Sequence, residues 1–242
     1  MPHPHPLVKL HPADLITAYI HTPSTLSPFH FALPGRHWRA VHLAYNRKDG
    51  RVVKLVTVLG SPRKRGNTAA VLEAFERLAL ENQHTVERIN AVDCTVRGCL
   101  GCDACFKVLD EPGCAQDDDD AVWILKRILA ADLVVYATPV YAWGFTAQLK
   151  PLIDRHYCLV KWQGDGVASA LMAGKRAALL ATCGGDAAGN ADLLEEAFRR
   201  LLDYAQCQPA GIYVLDNCSA RPIGPCADSE ALARRMAREL LG

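Results

Sequence analysis

The sequence predicts an α/β fold in which a parallel sheet is covered by helices on both faces. Three observations carry this. Val52–Leu59, Leu133–Thr138 and Ala177–Thr182 are apolar at nearly every position, as strands buried on both faces must be. Stretches of helical periodicity lie between them; Val71, Leu72, Phe75, Leu78 and Ala79 recur on one face of Asn67–Glu81. The two patterns alternate along the chain, which is the mark of βαβ units. The chain has 242 residues, half of them hydrophobic, enough to bury about 70–75% of its unfolded surface without disulfide staples.

Element by element, Thr85–Ile89 reads as a short second strand, and residues 94–116 are irregular and rich in Cys and Gly. Asp119–Ala130 is a helix, Leu133–Thr138 the third strand and Thr146–Tyr157 a helix. Ala177–Thr182 is the fourth strand, Asn190–Tyr204 a helix, Gly211–Leu215 the fifth strand and Asp228–Leu241 a final helix. Five parallel strands imply a doubly wound, flavodoxin-like or Rossmann-like sheet, whose ligands sit at the carboxyl ends of the strands. Residues 1–50 differ. They hold seven of the nine histidines and half of the fourteen prolines, and read as an N-terminal extension to a domain over residues 51–242. Pro12–Tyr19 reads as a short helix, Trp38–Tyr45 as a strand and Asn46–Gly50 as a turn.

Composition excludes several classes. Lys plus Arg number 27 and Asp plus Glu 26, so no nucleic-acid or membrane-surface partner is expected. No apolar stretch reaches the roughly 18 residues of a membrane span. Met-Pro-His-Pro-His-Pro lacks the basic cap and apolar run of a signal peptide. Ten cysteines without an export signal point to the reducing cytoplasm, as ligands, redox groups or packed thiols.

Three loops follow strand ends. The first, Gly60-Ser61-Pro62-Arg63-Lys64-Arg65-Gly66-Asn67-Thr68, is neither a P-loop nor G-x-G-x-x-G. It still offers a phosphate the hydroxyls of Ser61 and Thr68, the Asn67 amide, the cations of Arg63, Lys64 and Arg65, and a helix N-terminus. The plain alternative is a polar loop capped by Asn67. The second, Pro139-Val140-Tyr141-Ala142-Trp143-Gly144-Phe145, places three aromatics where a planar ring could stack, or where they cap the core or an oligomer contact. In the third, Thr182-Cys183-Gly184-Gly185-Asp186, paired glycines allow close backbone approach or a plain turn.

Cys99-x2-Cys102-x2-Cys105-x8-Cys114 has the opening spacing of ferredoxin-type clusters. Structural zinc favours two separated knuckles, and four free thiols are the other reading. Asp117–Asp120 precedes a helix and reads as a cap. His3, His5 and His11 lack acidic partners for a metal site. Cys158, Cys207, Cys218 and Cys226 read as core or surface thiols, and Cys94 stands outside the cluster spacing.

Together these loops resemble the flavodoxin-like NAD(P)H-dependent FMN reductases, most closely their iron-sulfur flavoprotein branch, over about residues 53–216. The most specific parts are Gly60-Ser61-Pro62-Arg63…Gly66-Asn67-Thr68 and Ala131-Asp132…Thr138-Pro139-Val140-Tyr141…Gln148-Leu149-Lys150…Ile153-Asp154-Arg155. The resemblance implies a 2-1-3-4-5 strand order and an FMN-binding domain over residues 51–242. It implies that Ser61, Arg63, Asn67 and Thr68 take the FMN phosphate, with Lys64 and Arg65 in the same loop. Pro139, Val140, Tyr141, Ala142, Trp143 and Gly144 would line the ring, with Thr182, Gly184 and Gly185 beside it. It further implies a [4Fe-4S] cluster on Cys99, Cys102, Cys105 and Cys114, although the gap before Cys114 is longer than in cluster-binding members. The implied activity is an oxidoreductase passing electrons from NAD(P)H through FMN to a small-molecule or ferredoxin-like partner, with no side chain needed as acid or base. A homodimer or homotetramer with Thr146–Tyr157 at the contact is implied as well. In that strand order both edges of the first strand are taken, so the 1–50 extension should not pair with it. Two alternatives remain: a non-enzymatic flavodoxin-type electron carrier, and a flavin-free α/β domain with a zinc site.

Overall fold

The protein's structure, a computed structural model, describes residues 51–242; the expectations for residues 1–50 lie outside the described residues. The chain runs β1 (Lys54–Leu59), α1 (Asn67–Glu81), β2 (Thr85–Asn90), α2 (Ala121–Ala130), β3 (Leu133–Pro139) and α3 (Lys150–Arg155). It continues through β4 (Val160–Gln163), β5 (Gly166–Ala170), β6 (Arg176–Thr182), α4 (Asp192–Tyr204), β7 (Gln208–Leu215) and α5 (Ala227–Leu241). The main sheet is ordered β2-β1-β3-β6-β7, with every pairing parallel. Counted among themselves these five strands lie 2-1-3-4-5. The departure from the expected chain order is the separate antiparallel hairpin β4-β5, inserted between the third and fourth strands.

The strand residues alternate between two cores, as period-2 geometry requires. Val56, Val58, Val134 and Tyr136 face one core, built with α2, α3 and α4. Leu55, Leu59, Leu133 and Val135 face the other, built with α1 and α5. On α4 the buried set is Leu194, Phe198 and Leu202, a strict i, i+4, i+8 stripe. Among the described residues no helix is long and apolar enough to cross a membrane.

Two local features differ from expectation, and one matches it. The helix expected over Thr146–Tyr157 is only Lys150–Arg155, followed by a 3-10 turn at His156–Leu159. Pro151 lies at its amino end, where its missing N–H is tolerated, and the chain before it folds back on Thr146 through Leu149 N–H and Lys150 N–H to the Thr146 carbonyl. The β4-β5 hairpin was not expected. Its two-residue Gly164-Asp165 loop, with Gly164 at φ 57°, is a hairpin signal, but the flanking strands are too short to stand out. The acidic run does cap α2, from Asp119: its Oδ1 accepts the Ala121 N–H at 3.0 Å, while Asp120 makes no cap bond and accepts the Thr95 N–H at 2.7 Å.

His156 sits in the first core, fully buried, with Nδ1 2.8 Å from the Leu152 carbonyl and Nε2 2.7 Å from the Tyr136 hydroxyl. Burial pushes its pKa down to about 4. The ring is therefore neutral: a carbonyl only accepts, so Nδ1–H donates to Leu152 and Nε2 accepts the Tyr136 O–H.

Candidate functional site

A cleft of about 440 Å³ opens at the carboxyl ends of β1, β3, β6 and β7. Its walls come from four loops. The first gives Ser61, Arg63, Gly66, Asn67 and Thr68; the second Pro139, Val140 and Tyr141; the third Thr182, Cys183 and Gly184; the β7–α5 loop adds Cys218, Ser219, Arg221 and Ile223.

The first loop is set by local chemistry. Ser61 is buried, and its Oγ lies 3.1 Å from both the N–H and the carbonyl of Arg63, a tight hydroxyl turn. Helix α1 begins behind Gly66 with no side-chain cap and no acidic residue in its first turn. Its first N–H groups thus open on the cleft beside the Arg63 guanidinium, which has no carboxylate partner among the described residues. Gly60 packs so tightly on the next loop that an added Cβ would stand 2.8 Å from the Leu149 Cβ. The Thr146 hydroxyl donates to the Gly60 carbonyl at 2.5 Å, locking the two loops together. Across the cleft floor the buried hydroxyls of Thr68 and Thr182 meet at 2.6 Å.

The second loop holds stored strain. Tyr141 and Gly144 exchange both backbone hydrogen bonds, at 3.2 and 3.0 Å. That turn forces Ala142 to φ 46° and Trp143 to φ 59°, left-handed conformations that cost non-glycine residues about 1–2 kcal/mol each. At Gly184 an added Cβ would stand 2.7 Å from the Ser219 hydroxyl, so the third and fourth walls are in close contact there.

The structure brings Ser61, Arg63, Asn67, Thr68, Pro139, Val140, Tyr141, Thr182 and Gly184 into one cleft. It leaves out six other expected residues. Lys64 is turned to Asp93 at 2.6 Å. Arg65, Ala142, Gly144 and Gly185 are absent from the lining, and the Trp143 indole donates to the Gly189 carbonyl at 3.1 Å. Asn67 lines the cleft but does not cap the helix: its Oδ1 accepts the Gly224 N–H at 2.8 Å, tying in the fourth wall. That wall is the part sequence reasoning missed. Its signal was present, because β7 ends at the same sheet edge as the other strands. Arg221 is held there by Asp216 and Asp228.

Beside the cleft, the cysteine-bearing segment is strapped down by buried cations. Arg155, wholly buried, donates to Asp119 at 2.8 Å, to the Arg97 carbonyl at 3.2 Å and to the Gln116 carbonyl at 2.7 Å. Burial works against the Asp119 carboxylate, but N–H donors from Arg97 and Ala121 and the Arg155 guanidinium outweigh it and hold its pKa low. Lys161, also buried, donates to the carbonyls of Cys105 and Pro112 at 3.0 and 2.9 Å, and burial lowers its pKa. Cys99 and Cys102 are exposed, Cys105 is buried and Cys114 half-buried. Among the described residues no three His, Cys, Asp or Glu side chains are placed to hold a metal ion. The four thiols as folded do not fit a cubane.

This sheet order, with a cleft at the point where the order reverses, defines a flavodoxin-like α/β fold. A family model described as NADPH-dependent FMN reductase matches residues 53–217, more than half of the chain, and the chain belongs to that family. An iron-sulfur flavoprotein of Archaeoglobus fulgidus is 37% identical over 103 residues, 43% of this chain and 48% of that one. One of Methanocaldococcus jannaschii is 38% identical over 104 residues, 43% of this chain and 51% of that one. The chain thus spans about half the length of these relatives. A solved NAD(P)H:quinone oxidoreductase from Methanothermobacter marburgensis shares the fold with a TM-score of 0.61 at 18% identity, over 79% of this chain and 98% of that one.

Proposed function

We propose that the cleft holds FMN and that the protein is an oxidoreductase drawing electrons from NAD(P)H and passing them to a small-molecule or ferredoxin-like acceptor. The observation that carries this is the uncapped amino end of α1 beside Arg63, which has no carboxylate partner among the described residues, in a cleft whose opposite wall is Pro139–Tyr141. Bound there, FMN supplies two-electron acceptance and release in one- or two-electron steps. The chain's own part is binding and orientation. Ser61, Arg63 and the first-turn N–H groups of α1 hold a phosphate. Pro139, Val140 and Tyr141 line the ring, and Thr182 and Gly184 bring backbone to its edge. No side chain of the cleft is needed as general acid or base.

The spacing of Cys99, Cys102, Cys105 and Cys114 and the names of the relatives support a [4Fe-4S] cluster. The folded positions of the thiols do not support it, and no electron step is routed through one. Iron and acid-labile sulfide per chain in anaerobically prepared protein decide between the two. All ten cysteines are free thiols, which supports a reducing, cytoplasmic setting.

Arg63→Ala is expected to weaken FMN binding by about 1.5–3 kcal/mol, the worth of a charge-assisted hydrogen bond. Titration of the FMN-free protein by flavin fluorescence measures it; unchanged affinity would remove the phosphate assignment. Exposed Tyr141 and Trp143 in the second loop and exposed Leu193 at the start of α4 support a homodimer or homotetramer. Sedimentation at micromolar concentration should show no monomer.

A further inference from the structure

We propose that Cys183 and Cys218 form a dithiol site in the cleft wall, at which a low-molecular-weight disulfide oxidant closes an intramolecular Cys183–Cys218 disulfide. Cys183 follows β6 and Cys218 follows β7, the neighbouring strand, whose last rung pairs Thr182 with Leu215. Beyond that rung the backbones stay joined. Cys183 N–H donates to the Leu215 carbonyl at 3.1 Å, Cys218 N–H to the Cys183 carbonyl at 2.9 Å, and Ser219 N–H to the Gly184 carbonyl at 3.1 Å. Backbones hydrogen-bonded in this way lie about 5 Å apart, inside the Cα separation of about 4.4–6.8 Å that a disulfide spans. The Cys218 thiol donates at 3.3 Å to the same Leu215 carbonyl that receives the Cys183 N–H, so its sulfur is folded back toward Cys183. Both residues line the cleft.

The two thiols have different roles. Cys183 is almost wholly buried, and burial, with the Cys218 charge next, pushes its pKa up to about 11. Cys218 is half-buried, and although burial raises it, the Asn67 amide and Arg221 favour its thiolate. Cys218 is therefore the attacking thiol. Its thiolate attacks one sulfur of the oxidant and releases the first thiolate, leaving a mixed disulfide; the Cys183 thiolate then attacks the Cys218 sulfur and releases the second. Two S–H bonds are lost and one S–S bond forms. The electron pair and both protons leave with the oxidant, which becomes two thiols.

The placement of this dithiol against FMN rests on the reading above; its chemistry does not. The test incubates the whole chain, FMN-free and FMN-saturated, with oxidised glutathione, alkylates the remaining thiols and maps the peptides. The expected result is a peptide containing Cys183 linked to one containing Cys218, lighter by two hydrogens than their sum. It should be lost in Cys218→Ser, reversed by dithiothreitol and suppressed by saturating FMN. Cys183→Ser should stop at a mixed disulfide on Cys218. Recovery of both residues as alkylated thiols in the oxidised, FMN-free protein would overturn the proposal. A linked peptide that forms equally with FMN bound would uphold the dithiol and remove FMN from this wall.

Discussion

Replacing Arg155 by Met will destabilise the protein by about 3 kcal/mol, because it strips the Asp119 carboxylate of its buried cation and leaves only the half-exposed Arg97 guanidinium at 3.8 Å. The side chains of both partners are essentially inaccessible, so water cannot stand in for the guanidinium. Arg155→Lys should rescue little. A single ammonium cannot serve Asp119 and the carbonyls of Arg97 and Gln116 in the fork that the guanidinium provides. Asp119→Asn in the Arg155→Met background should cost much less than the two single changes summed, since the buried carboxylate charge is then gone. Urea unfolding of the four proteins measures this cycle. A cost near 1 kcal/mol for Arg155→Met would mean that the pair does not anchor the segment.

Stability should also fall by about 3 kcal/mol as pH drops from 6.5 to 4, from His156 alone. The folded-state pKa is depressed to about 4, while the unfolded chain takes up the proton near 6.5. Below 6.5 the unfolded state therefore binds more protons, and the stability present at neutral pH is lost as the pH falls. About 2 kcal/mol of it should be gone by pH 5. Carboxylates with lowered pKa, Asp93, Glu111 and Asp119, begin to contribute only below about pH 5, so the span from pH 7 to 5 belongs to His156. His156→Gln, whose amide can still donate to Leu152 and accept from Tyr136, should be nearly flat between pH 7 and 5. Denaturant midpoints at the two pH values give the comparison; an equal slope in the variant would show that another group titrates.

The sequence by itself determined the sheet and the location of three of the four cleft walls. Both are local properties: continuous apolar runs mark strands buried on both faces, and glycines, cations and aromatics cluster just beyond their ends. Only the tertiary structure decided which loop side chains face the cleft. Lys64 is drawn off by Asp93, Trp143 by the Gly189 carbonyl, and Asn67 is shared with Gly224, 157 residues away. No periodicity encodes such partners. The fourth wall, with Cys218 and Arg221, and the burial of Arg155 and Lys161 beneath the cysteine segment were hidden for the same reason. A charged residue reads as solvent-facing in a sequence, and only long-range packing supplies the carbonyls and carboxylate that let it be buried.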